Sequence, residues 1–181
     1  MKLTANYRTI CDEIKKEFPD FEIIKKNDSN LMKAISKLLL IISFGKMDRF
    51  MTGFITVIGN KVYVPDSWDD RSEIVKCVTL RHERIHMRQS KRYGRLLFSL
   101  LYLLLPLPVV FAWFRKKFEQ EAYEESFKAL YEYIGEEAFT EAYKNHIIDH
   151  FITSSYFWMW PFKESIKSWI DNSISYITNY N

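Results

Sequence analysis

Arg81-His82-Glu83-Arg84-Ile85-His86 is the stretch on which the reading of this chain turns. On a helix, His82 and His86 stand one turn apart on the same face, so both imidazoles can reach one metal ion. Glu83 lies roughly 60–100° round the helix from each histidine, on the same side but too far round to be a ligand. That leaves its carboxylate free to take a proton from a water held by the metal, as metal-assisted hydrolysis requires. Two neutral imidazoles and a carboxylate suit zinc, whose catalytic sites keep one position open. The context is helical: Ser72-Glu73 offers a start, Ile74, Val78 and Ile85 fall on one stripe, and Tyr93-Gly94 offers a stop.

Working outward, residues 4–18 read as an amphipathic helix ending at Pro19, and Asp28-Ser29 caps a second that runs through Leu31, Ile35, Leu38, Leu39 and Ile42 to Gly45. Phe54–Ile58 and Lys61–Val64, separated by Gly59-Asn60, read as a hairpin of two short strands. After the helix at 72–92 come helices at about 110–134, 136–150 and 162–177. The expected fold is therefore α+β, mainly α, with a small hairpin ahead of the histidine helix. An edge strand of that hairpin could hold an extended peptide by main-chain pairing.

A third ligand should come from a later helix. The run Phe118-Glu-Gln-Glu-Ala-Tyr-Glu-Glu-Ser126 holds four glutamates, and at 100° per residue Glu119 alone falls with Ala122, Tyr123, Ser126 and Leu130 on the apolar face. Glu121, Glu124 and Glu125 project to the other side, where solvent is expected. A carboxylate on a buried face is costly unless it is paired or bound to a metal. Glu119 is thus a metal ligand or the partner of an arginine such as Arg81.

His82-Glu-Arg-Ile-His86 followed by Glu119-Gln-Glu-Ala122 resembles the gluzincin metallopeptidases, zincins that pair HExxH with a downstream glutamate, and most nearly the CAAX prenyl protease and HtpX-like branch. The resemblance implies a zincin-like fold, zinc on His82, His86 and Glu119, Glu83 as general base, and a peptide or protein substrate. Tyr123 stands where that branch usually has an aspartate that orients a ligand histidine, and the several membrane spans of those proteases are missing. A small stand-alone relative is the reading that fits.

Hydrolysis also needs a donor for the developing oxyanion. His150 and Tyr156 are the candidates, with Tyr123 as a third. His146 and His150, four apart, could instead form a second metal site or be core histidines. The aromatic run Tyr156–Phe162 reads as core.

The remaining features set limits. The 181 residues suit a single domain, 1–181, with a sizeable core. Hydrophobic content of 48% excludes disorder, and a net charge of +3 drawn from mixed lysine and glutamate runs gives no nucleic-acid footprint. Cys11 and Cys77 read as buried thiols of a reducing compartment, with a single disulfide as the alternative. The N-terminal sequence has no apolar core of a signal peptide, which points to the cytoplasm. The segment Leu96–Phe114 is nearly uncharged, with Arg92 and Arg95 before it and Arg115, Lys116 and Lys117 after it. A single crossing would put His86 and Glu119 on opposite sides of a bilayer. The segment is therefore a buried helix-turn-helix or a hairpin dipping into one leaflet as a peripheral membrane contact.

Overall fold

Capping residues and glycines place the helices. In the computed structural model, which describes residues 2–45, 47–95, 97–98, 110–153 and 159–180, the Asn6 side chain accepts from the Thr9 amide at the start of α1, Tyr7–Glu17. Ser29 Oγ accepts from Met32 N at the start of α2, Asn30–Ile42. These contacts satisfy amides that the first turn of a helix leaves without a carbonyl. Pro19 follows α1, where a continuing helix could not accept it.

The chain divides into two compact units, Asn6–Lys76 on one hand and Met1–Ala5 with Cys77–Asn181 on the other. In the first, β1 (Glu22–Lys25), β2 (Thr56–Ile58) and β3 (Lys61–Val64) form a sheet in the order β1-β3-β2. The expected hairpin is β2-β3, antiparallel, with Val57 opposite Val62 and a turn at Gly59, whose φ of +63° suits glycine. β1 was not anticipated. It pairs parallel to β3, placing Ile23 opposite Val62 and making β3 the central strand. Met32, Phe50 and Tyr63 form a buried cluster beneath α2 and the short helix α3, Phe50–Gly53. Lys26, fully buried in this unit, donates from Nζ to the Phe50 carbonyl at 2.6 Å.

The second unit is helical. α4, Glu73–Tyr93, starts with Ser72 Oγ accepting from Val75 N, has its first turn in the other unit, and stops before Gly94, where φ is +82°. The burial along α4 differs from the expected stripe: Ile74 and Val78 are half-buried, while Cys77, Leu80, Glu83, Ile85, His86, Met87, Gln89 and Ser90 are buried. From Glu83 to Ser90 the helix is wrapped nearly all round, so one-sided periodicity fails there. α5 spans Val110–Tyr133, α6 Glu141–Ile152 and α7 Lys163–Tyr180. α6 begins later than its periodicity suggests, because Glu136–Ala138 turn as a 3-10 helix and Thr140 then caps.

Phe127 of α5, Ile147, Ile148 and Phe151 of α6, and Ile166, Ile170 and Ile177 of α7 make one buried cluster. Each such side chain contributes about 1.5–3 kcal/mol by leaving water. This core fixes α5, the helix that carries Glu119. The architecture is mainly helical with one small sheet, as the sequence indicates at that level.

Leu96 and residues 99–109 lie outside the described residues, and so do Leu101 and Leu104 of the apolar segment. At its edges Phe98 is buried whereas Leu97 and Trp113 are exposed. Among the described residues, no helix is long and apolar enough to cross a membrane. Cys77 is buried and Cys11 half-buried, and both carry thiols.

Candidate metal centre

α4 and α5 bring His82, His86 and Glu119 together. The two Nε2 atoms are 3.2 Å apart. One carboxylate oxygen of Glu119 lies 3.6 Å from His82 Nε2 and the other 3.5 Å from His86 Nε2. Ligand atoms about 2.0–2.1 Å from a tetrahedral zinc stand about 3.3 Å from one another, so these edges match a metal-sized gap. The side chains are 14%, 7% and 5% exposed, so the cluster is largely shielded from water. Arg81, the alternative partner for Glu119, is engaged elsewhere. Its Nε donates to Glu125 at 2.7 Å and its Nη1 to Glu132.

The hydrogen bonds behind the histidines decide which nitrogen faces the gap. Gln89 Nε2 donates to the Phe118 carbonyl and to Glu121, both at 3.0 Å. These partners only accept, so the Gln89 oxygen must be the atom facing His86 Nδ1, 2.9 Å away. An amide oxygen also only accepts, and His86 Nδ1 therefore carries the hydrogen. In that tautomer Nε2 is the acceptor nitrogen, and it faces His82 Nε2 and Glu119.

Ser126 does the same for His82. Its hydroxyl donates to the Ala122 carbonyl at 3.3 Å, leaving its oxygen to accept from His82 Nδ1 at 3.1 Å. The two Nε2 atoms and the two Glu119 carboxylate oxygens then face one another. Acceptors so close repel unless a cation lies among them; a proton satisfies one edge, a divalent ion all of them. The donor set could hold a metal, and among the described residues it is the one such group of three.

Gln89 and Ser126 were missed by sequence reasoning. Their signals were present: Gln89 is one turn beyond His86 on the same helix, and Ser126 shares the Glu119 stripe at i+7. Ser126, not Tyr123, is thus the side chain that orients His82 through Nδ1. The Tyr123 ring instead stands edge-on to His82, centroids 4.8 Å apart, with its hydroxyl 3.1 Å from His150 Nδ1.

Glu83 is buried on α4, one residue after His82. His150 is half-buried and linked to the triad through Tyr123. Burial, with His146 beside it, lowers its pKa to about 4, so it is neutral at pH 7. His146 is exposed, its ring 4.5 Å from that of His150, and the pair gathers no third ligand among the described residues. Tyr156 lies outside the described residues.

The glutamates expected in solvent are half-buried and engaged. Glu121 accepts from Gln89, Glu124 accepts from Trp169 Nε1 at 2.9 Å, and Glu125 binds Arg81. The wheel projection misplaced them because other helices cover that side of α5.

No protein-family model matches the chain, and no curated protein or solved structure matches it; the geometry of the site is what any functional reading rests on.

Proposed function

We propose that this chain is a zinc-dependent metallopeptidase of the gluzincin type, hydrolysing peptide bonds of a peptide or protein substrate. The observation that supports it is the convergence of His82 Nε2, His86 Nε2 and the Glu119 carboxylate, with both Nδ1 positions already satisfied behind them. Two nitrogens and a carboxylate form a donor set that favours zinc over the hard, all-oxygen cations. When bound, the ion supplies Lewis-acid polarisation and a more acidic water. Glu83, lying off the ligand face of α4, accepts the proton of the attacking water and returns it to the leaving amine. His150, neutral at pH 7 with its Nδ1 3.1 Å from the Tyr123 hydroxyl, is one donor assigned to the oxyanion. Tyr156 is the other candidate for that task.

The near-complete burial of the three ligands favours one second reading, in which the metal is structural and the chain is a binding or regulatory module. Glu83→Gln separates the two. On the peptidase reading this variant keeps its zinc and its thermal midpoint, while cleavage of a quenched-fluorescent peptide pool falls by about 10²–10⁴-fold. Loss of zinc from the variant contradicts the role given to Glu83. A zinc-loaded wild type that cleaves nothing in the pool supports the structural reading.

A further inference from the structure

The unit Asn6–Lys76 has an apolar face that its own core leaves uncovered. α2 turns Met32, Ile35 and Leu39 toward Phe50 and Tyr63. On its other side Leu31, Leu38 and Ile41 are 49%, 55% and 73% exposed, and Phe44, just past the helix end, is 94% exposed. Leu31, Ala34, Leu38 and Ile41 recur at i, i+3, i+7 and i+10, which makes a continuous outward stripe. We infer that this stripe lies in the headgroup region of an anionic lipid bilayer, with α2 parallel to its surface.

Three observations favour lipid as the occupant. α2 carries Lys33 and Lys37, both exposed and flanking the stripe, and no acidic residue. Among the described residues neither lysine has an ion-pair partner, so their charge is available to an anionic surface. Phe44 holds its ring in solvent from a left-handed backbone position, φ +52°, which bulky side chains rarely adopt. An aromatic ring at the end of an apolar stripe is placed to enter the interface beside lysine headgroup contacts. The 13 residues of α2 span about 20 Å, too short to cross a bilayer and sufficient to lie in one leaflet. The inference stands independently of the metal centre.

The test is flotation of the full chain with vesicles of phosphatidylcholine alone and with vesicles that also carry phosphatidylserine. The wild type should float with the serine-containing vesicles, less so in high salt. Ile41→Ser combined with Phe44→Ser should weaken this at least tenfold, and Lys33→Gln combined with Lys37→Gln by roughly fivefold per lysine. Tyr176→Ser, which alters another exposed aromatic, on α7, should behave as wild type. Circular dichroism should show every variant folded, since all the altered side chains are exposed. A wild type that does not float overturns the inference. So does undiminished flotation of the Ile41/Phe44 variant, which would place the lipid contact elsewhere in the chain. A wild-type dimer that the same substitutions dissociate would assign the stripe to a second copy instead, and also overturns it.

Discussion

Replacing Gln89 by leucine should cost metal affinity without touching a ligand. Gln89 is fully buried and makes three contacts with its amide: its oxygen accepts from His86 Nδ1, and its nitrogen donates to Phe118 O and Glu121. Leucine keeps much of the volume but removes the acceptor, so the His86 hydrogen is free to move to Nε2, the atom proposed to bind metal. Loss of such an orienting partner typically weakens metal binding 10–100-fold, or about 1.4–2.7 kcal/mol. The Phe118 carbonyl and Glu121 also lose a donor, which should lower stability by about 1–3 kcal/mol. Gln89→Glu dissects these effects. It keeps an acceptor for Nδ1–H and makes the ring more basic, so zinc affinity should be held or raised. Stability should nevertheless fall at least as far, because a carboxylate then faces both Phe118 O and Glu121. Competition titrations against a chromophoric chelator give the affinities, and urea unfolding of the metal-free proteins gives the stabilities. A folded Gln89→Leu variant that binds zinc as tightly as wild type would refute the tautomer argument.

Arg81→Met should destabilise the fold by about 2–4 kcal/mol, because Glu125 and Glu132 would be left as partly buried carboxylates without their cation; adding Glu125→Gln and Glu132→Gln should recover part of that in urea unfolding, and full additivity of the losses would count against the pairing. His150 gives a pH dependence. Its folded pKa, lowered to about 4 by burial and by His146, lies below the unfolded value near 6.5. The unfolded chain therefore takes up this proton first as pH falls, so the stability contribution is present above about pH 6.5 and is lost progressively toward pH 4. After screening at a half-buried ring, the loss should be about 1–2 kcal/mol. In the metal-free protein His150→Gln should remove that part of the decline, and an unchanged pH profile would show that His150 does not carry it.

Local geometry determined which features are legible in the sequence. His82 and His86 needed only helical spacing, and Glu119 needed only the projection of one helix. The capping serines and Gly94 marked helix ends that the structure places within a residue or two. Partners supplied by other elements were harder to see. Glu124 and Glu125 look solvated on an isolated wheel, and it is Trp169 of α7 and Arg81 of α4 that bury them. Gln89 acquires its role from the Phe118 carbonyl, a main-chain group with no sequence signature. β1 is four residues long, too short for a period to register, and it pairs with a strand that begins more than thirty residues later.

His82, His86 and Glu119 are proposed to hold one divalent ion together. The most direct measurement is metal content by inductively coupled plasma mass spectrometry, after loading with zinc and exhaustive dialysis, for wild type, His86→Ala and Glu119→Gln. The expected result is about one zinc per wild-type chain, close to none in His86→Ala and a much reduced content in Glu119→Gln, with all three proteins folded. A folded wild type that retains no zinc, or variants that retain as much as wild type, would contradict it.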